Sequence, residues 1–460
     1  MVNRREFIVL GAAAAAGWAV PARAETPNLK FGVVTDIHIG GRASAPERLR
    51  FALQWLKARG IDAVLCPGDV THMGRIAQLE EFAAIWRSVF PKDGPKVELM
   101  ISTGNHDAWT VGMEAESESV RRATRIVHAD NADRCWRRLF GEPFEPVWRK
   151  TVKGYAFVGA QWSAYRPDLA RYMSEHAAEL RTDRPFFYCQ HAHPAGTVHC
   201  GGGDDGSSTR ILSAFPNAVA FTGHSHWTVA DERAVWQGAF TSVGAGCLHE
   251  GGGEYDRENI SAFWHRKSRE SHVMGPIRGD AEWWGGDPAG GCFLLVEVFD
   301  GHLRIQRRSS VADKPIGPDW IVPLPPKAGG PFDPKARPAL RRPPAFAPDA
   351  KAKVVFHPNG HPLLAKPFAG RDCFAVEIPP VRQMEDAWRV YDYLVEAVAP
   401  GATVRRRIHS DGFALPLADA TSPSTCLFLL DELKGAKDAV FTVSPLDSFG
   451  RAGAPLTAAL

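Results

Sequence analysis

The sequence predicts an α/β fold followed by a small all-β sandwich. Three observations carry that reading. Short β-rich runs alternate with helical stretches over residues 29–310. A proline-dense segment then interrupts the pattern. Beyond it, strand-like runs separated by turns are all that remain.

Leu29–Thr35, Ala63–Cys66, Val97–Thr103, Phe186–Gln190 and Ala218–Thr222 are short and bounded by Gly, Pro or Asp, which predicts strands. Pro46–Arg59, Ile76–Phe90 and Pro167–Arg181 carry a helical period. Alternation of this kind predicts a largely parallel sheet, with chemistry on the loops beyond the carboxyl ends of its strands. Cys66, Cys189 and Cys292 sit inside apolar runs and are expected as small core residues. Cys200 and Cys247, in Gly-rich loops, are a candidate pair.

Between Pro315 and Pro348 there are eleven prolines, a density that no helix or central strand tolerates. Residues 311–350 are therefore expected as a linker or surface strap between a domain at 25–310 and a sandwich at 351–460. In the latter, Val354–His357, Phe374–Ile378, Val390–Val398, Thr403–Ile408, Thr425–Leu430 and Ala439–Val443 predict strands.

The chain has 460 residues, 45% hydrophobic and 23% charged, the balance of a globular protein and not of a disordered one. Lys and Arg number 54 against 52 Asp and Glu. No basic excess exists to hold a phosphate backbone, so no nucleic-acid polymer is expected as a partner. Eight cysteines are too sparse for a disulfide scaffold.

Residues 1–24 predict an export signal. Arg4 and Arg5 precede an apolar run from Ile8 to Val20, and Ala22-Arg23-Ala24 offers a cleavage site. The run is too short to span a bilayer. Arg4-Arg5 followed by Phe7 and Ile8 resembles the twin-arginine type, with an ordinary export signal as its rival. Cleavage near Ala24 would leave 51 basic and 51 acidic residues and a periplasmic or secreted chain without a transmembrane segment.

Five polar clusters each follow a predicted strand: Asp36-Ile37-His38, Gly68-Asp69, Gly104-Asn105-His106-Asp107, His191 and Gly223-His224-Ser225-His226. One Asp or His at a strand end is ordinary. Five such clusters at one sheet edge point to a metal centre. Imidazole nitrogens and carboxylate oxygens suit Fe, Mn and Zn alike, and a carboxylate can bridge two ions.

In that order, D-x-H, G-D, G-N-H-D, H and G-H-x-H resemble the calcineurin-like metallophosphoesterase superfamily over roughly residues 29–230. The resemblance implies two β-sheets sandwiched between helices, with a dinuclear site at the strand ends. It implies one divalent or trivalent transition-metal ion on Asp36, His38 and His226, and a second on Asn105, His191 and His224. Asp69 would bridge them. His193, two residues after His191, is the rival for that ligand position. The implied activity is hydrolysis of a small phosphate ester, with His106 as the general acid for the leaving group. The alternatives are a nucleotide-specific phosphohydrolase and an inactive binding protein on the same fold. Phe441–Gly450 resembles the last strand and turn of a fibronectin type III module.

The chain departs from two branches of that superfamily. Purple acid phosphatases place a Tyr three residues after the bridging Asp, and protein phosphatases an Asp. Here the position is His72, which leaves the orienting partner of His106 open. Most of Arg121, Arg122, Arg125 and His128 are expected on one solvated helix face. Trp264, Trp283 and Trp284, in the long loop after the G-H-x-H strand, are candidates for holding a planar leaving group, against plain packing. Arg42 and Arg75 are weaker candidates for contact with phosphate.

Overall fold

The computed structural model describes residues 25–460 except 109–114, 129, 163, 165–166, 200–202, 250–290, 365–367, 411, 414, 417–418, 420, 422 and the side chain of His409. Residues 1–24, expected above to be an export signal, Cys200 and the three Trp residues of the long loop lie outside the described residues.

Two six-stranded sheets face each other. The first contains β1 (Leu29–Val33), β2 (Ala63–Pro67) and β3 (Glu98–Ser102). The second begins with β4 (Val147–Val152), β5 (Tyr155–Ala160), β6 (Phe186–Cys189), β7 (Ala218–Thr222), β8 (Val235–Gln237) and β9 (Thr241–Gly244). The chain then returns to complete the first with β10 (Cys292–Phe299), β11 (His302–Ser309) and β12 (Trp320–Pro323). The strand orders are β12-β11-β10-β1-β2-β3 and β4-β5-β6-β7-β9-β8.

Each sheet has a parallel half, β1-β2-β3 and β5-β6-β7-β9, flanked by antiparallel strands. The five motif-bearing strand ends, expected on one sheet, therefore divide between two. Those of β1, β2 and β3 come from one sheet, and those of β6 and β7 from its partner.

Both faces of each parallel half are covered, so its strands read as continuous apolar runs. Phe31 of β1 lies at the centre of the inter-sheet core, with ring centroids 4.9 Å from Phe187, 5.3 Å from Phe157 and 5.5 Å from Phe221. Outside the first sheet lie α1 (Ala45–Lys57), α2 (Ile76–Val89), α3 (Glu118–Thr124) and α4 (Asn131–Phe140). Pro46 opens α1, and its buried Leu49, Ala52, Leu53 and Leu56 form the stripe that meets the sheet. The second sheet is covered by α5 (Pro167–Glu175), α6 (Ala177–Leu180) and α7 (Ser207–Leu212). The predicted helix over 167–181 breaks at His176, whose φ/ψ of −108°/13° leave the helical basin. Cys66, Cys189 and Cys292 are buried in β2, β6 and β10 as expected.

The proline-dense segment does more than run over the surface. Trp320–Pro323 adds β12 to the free edge of β11, the one place in a sheet where a proline removes no needed donor. Ile316, Trp320, Val322 and Phe332 all enter the inter-sheet core.

The C-terminal region is all β, with antiparallel sheets. It comprises β13 (Lys353–His357), β14 (Cys373–Ile378), β15 (Val390–Ala399), β16 (Ala402–His409), β17 (Ser424–Leu429), β18 (Val440–Asp447) and β19 (Leu456–Ala458). The sheets β13-β14-β17 and β16-β15-β18-β19 pack Phe374 and Phe428 against Tyr393, Val395, Phe441 and Val443. Among the described residues, no helix is long and apolar enough to cross a membrane.

Candidate metal centre

The strand-end turns converge on one buried pocket of polar groups. Asp36, His38, Asp69, His224 and His226 have φ values of 51°, 51°, 50°, 72° and 52°. They make up five of the eight described non-glycine residues with positive φ. A left-handed backbone costs an L-residue about 1–2 kcal/mol. Such strain persists where the surroundings over-determine it, and it concentrates at functional sites.

Glycines let the chain pass this close. A Cβ on Gly104 would stand 2.1 Å from Asp69 Oδ1, and one on Gly223 would stand 2.2 Å from Asp36 Oδ2.

Asp36 and Asp69 are fully buried, and no Lys or Arg pairs with either among the described residues. The Thr35 hydroxyl donates to Asp36 Oδ2 at 2.8 Å, and the His224 backbone N–H reaches the same carboxylate at 3.1 Å. Asp36 Oδ1 lies 3.2 Å from His226 Nε2. Asp69 Oδ1 accepts the backbone N–H of His106 at 2.8 Å. Asp69 Oδ2 lies 3.0 Å from His191 Nε2 and 3.8 Å from His38 Nε2, ion-pair distances at which neither ring makes a well-aligned hydrogen bond to it. An orphaned, buried carboxylate oxygen is costly unless a cation occupies the space before it.

The imidazoles face the same space. His38 Nε2 and His226 Nε2 lie 3.1 Å apart. His191 Nδ1–H donates to the Pro67 carbonyl at 2.7 Å, which turns its Nε2 toward Asp69 and toward Asn105 Oδ1 at 3.1 Å. A carbonyl holding one ring nitrogen is the usual way a metal-ligating histidine is oriented. The ligand atoms of Asp36, His38 and His226 lie within 4.8 Å of one another, as do those of Asp36, Asp69 and His191. His224 joins neither group, but its ring centroid lies 4.9 Å from that of His191. The donor set and the orphaned oxygen fit bound cations.

Among the described residues, the groups that oppose the two carboxylates electrostatically are histidines. Burial opposes ionisation of Asp36, but His191 and His226 outweigh it and hold the carboxyl below its ordinary range. Asp69 is lowered against its burial, chiefly by the charge of His191. Burial acts against charge on His191, but Asp69 and Asp36 overcome it and raise that imidazole to about 9. Burial acts against charge on His226 too, and Cys247 and Asp36 raise it. His224 is pushed down to about 4 by burial and by His191.

His106 stands at the rim, its ring 4.5 Å from that of His38. Its Nδ1 lies 2.8 Å from the His72 carbonyl oxygen. That carbonyl is the orienting partner that the sequence left open. Asp107 points elsewhere: it accepts from the Thr71 backbone at 2.8 Å, the Thr71 hydroxyl at 2.7 Å and the Gly104 backbone at 2.9 Å, clamping two motif loops together. His193 is held by Thr222 Oγ1 at 2.6 Å and Ser225 Oγ at 2.8 Å, and burial first, then His224, pushes it down to about 3. Both its ring nitrogens are engaged by hydroxyls, whereas His191 Nε2 faces the carboxylates.

Other side chains reach the pocket without a sequence signal. Trp162 lies 5.8 Å from His191 and 5.6 Å from His224, ring to ring. His249 stacks on His38 at 5.3 Å. The thiol of Cys247 donates to the Asp36 carbonyl at 3.4 Å. The expected helix face is only partly solvated: Arg125 is buried and pairs with Glu116 at 2.8 Å, because its carboxylate partner and the Met73 carbonyl draw it inward. Arg75 also pairs with Glu116, at 2.6 Å, and so is engaged away from the pocket.

Residues 29–227 match the family described as calcineurin-like phosphoesterase. The calcineurin-like phosphoesterase match begins at β1 and takes in all seven candidate ligands. No curated protein matches the chain. Among solved structures, a dimetal phosphatase from Danio rerio is similar at 9% identity and TM-score 0.40, over 65% of this chain and 99% of that one. A purple acid phosphatase from yellow lupin seeds is similar at 12% identity and TM-score 0.41, over 65% of this chain and 55% of that one. A Plasmodium protein described as the anchor in the inner membrane complex is similar at 12% identity and TM-score 0.38, over 65% of this chain and 89% of that one. Likeness at this level carries no argument about activity.

Proposed function

We propose that the chain is a metal-dependent phosphoesterase that hydrolyses a small phosphate ester at the strand-end pocket. The observation that carries this reading is the buried cluster of the Asp36 and Asp69 carboxylates with His38, His191 and His226, which among the described residues pairs with no Lys or Arg. Asp36, His38 and His226 would hold one ion, Asn105, His191 and His224 the other, and Asp69 would serve both. Fe, Mn and Zn all suit these donors. Bound there, such ions supply Lewis acidity to a phosphoryl oxygen and acidify a water.

The chain's own groups do the rest. His191 is held by the Pro67 carbonyl with Nε2 inward. Asp69 Oδ1 fixes the backbone of the His106 loop. His106 is held at Nδ1 by the His72 carbonyl; as the imidazolium, protonated at Nε2 as well, it would give that proton to the leaving oxygen and return to the neutral ring, the form that burial favours. Trp162, beside His191 and His224, offers a flat apolar wall to the leaving group.

The twin-arginine-type residues Arg4 and Arg5 support export to the periplasm as part of this reading. The three- and four-stranded sheets of the C-terminal region support a fibronectin type III-like module there. A panel of phosphomonoesters, diesters and nucleotides, assayed on protein reconstituted with each of the three metals, tests the reading. Turnover of at least one class that chelation abolishes is expected. Absence of turnover across the whole panel would contradict it.

A further inference from the structure

The residue after the last candidate ligand does not pack into the inter-sheet core. Trp227 follows His226, is 4% exposed and forms a separate apolar cluster with Tyr391 and Phe413 of the C-terminal region. Tyr391 stands at the start of β15 and is 1% exposed. Its ring centroid lies 6.3 Å from that of Trp227 and 4.7 Å from that of Phe413. The indole N–H donates to Asp231 Oδ2 at 2.9 Å. Asp231 in turn receives Arg233, whose guanidinium lies 5.0 Å from the centroid of the Tyr391 ring. The Trp227 backbone N–H donates to Ser225 Oγ at 3.2 Å. His226 is thus bracketed by two anchored neighbours, Ser225 and Trp227, and it holds a left-handed φ of 52°.

A strained turn keeps its shape only while both flanks are held. One flank, Ser225, is tied to His193 within the two-sheet region. The other is seated on the C-terminal sandwich. We propose that Tyr391 is a positioning residue for His226, and that the C-terminal region thereby sets the affinity of the ion held by Asp36, His38 and His226. The inference rests on the metal reading above and assigns a role to a part of the chain that carries no ligand. Outer-shell partners of metal ligands typically control affinity by 10–100-fold.

The test uses the full chain and zinc ions alone, titrated against a chromophoric chelator, with thermal unfolding as a control for folding. Tyr391→Ala is expected to weaken one of the two binding steps ~10-fold or more and to leave the other within about twofold. Tyr391→Phe keeps the ring against Trp227 and loses only the hydroxyl beside Arg233, so it is expected to weaken the same step much less than Tyr391→Ala. Phe413→Leu, a milder change one contact further out, is expected to weaken the same step by less. Two bound ions in wild type, with both steps unchanged or both weakened equally in a folded Tyr391→Ala or Phe413→Leu chain, would overturn the proposal and leave the metal reading standing. A wild-type chain that binds no zinc would overturn both.

Discussion

The Nδ1 of His106 lies 2.8 Å from the carbonyl oxygen of His72. A carbonyl accepts only, so this contact places the Nδ1 proton and leaves Nε2 as the working nitrogen. His72 thus makes this contact with its backbone oxygen and not with its ring. Substitution of the His72 side chain therefore leaves the contact in place.

His106→Ala separates the leaving-group role from general damage to the pocket. A nitrophenolate leaves readily because its charge is delocalised, whereas an alkoxide needs a proton. Loss of a positioned acid costs ~10²–10⁴-fold where the acid is used. The variant is expected to lose kcat on an alkyl phosphate much more than on a nitrophenyl phosphate, with its metal content unchanged. Equal losses on both substrates would show that His106 stabilises the phosphoryl oxygens instead.

Gly104→Ala tests how tightly the motif loops are packed. The new Cβ would stand 2.1 Å from Asp69 Oδ1, 2.6 Å from the Asp69 backbone nitrogen and 2.7 Å from His191 Cδ2, so a candidate ligand must move. Turnover and metal content are expected to fall by tenfold or more, an energy of about 1.4 kcal/mol, while the circular dichroism of the folded chain is retained. Gly60→Ala is the control. Its φ is +64° but nothing lies within 4 Å of the added carbon, so it is expected to cost only about 1–2 kcal/mol of stability and no activity.

Glu116 gives a pH dependence with a defined sign. Hydrogen bonds from Arg125, then from Arg75, lower its carboxyl from 4.5 to about 2. A carboxyl depressed by folding adds stability above its unfolded value and loses it as pH falls through the folded one. Its contribution is therefore complete above about pH 4.5 and lost toward about pH 2. The melting temperature of Glu116→Gln should lie below wild type at pH 7 and approach it at pH 2.5. A constant gap across that range would show that the pair with Arg125 does not titrate as described.

The site was more legible in the sequence than the sheets that carry it. D-x-H, G-N-H-D and G-H-x-H mark their candidate ligands because short spacing keeps each group on one turn. Five strands of the parallel halves, β1, β2, β3, β6 and β7, were legible because their apolar runs end in those motifs, whereas β5 and β9 end in none. The β4–β5 hairpin was not: its turn at Lys153-Gly154 has φ of 48° and 79°, and a lysine gives no turn signal. β12 was hidden by its prolines, which mark an edge strand and a linker alike. Trp162, His249 and Tyr391 reach the pocket or its support from loops and strands far along the chain. Only tertiary packing brings them there, and no local spacing records it. Asp107 was visible in its motif, but its direction was not, because a side chain's aim depends on the loop packed opposite.

The central claim is that Asp69 serves two ions at once. Counting metal ions per chain by elemental analysis, in wild type and in Asp69→Asn reconstituted with Fe, Mn or Zn, tests it most directly. The account predicts two ions in wild type and at least one lost from the variant, together with most of its turnover. Two ions and normal turnover in Asp69→Asn would contradict it.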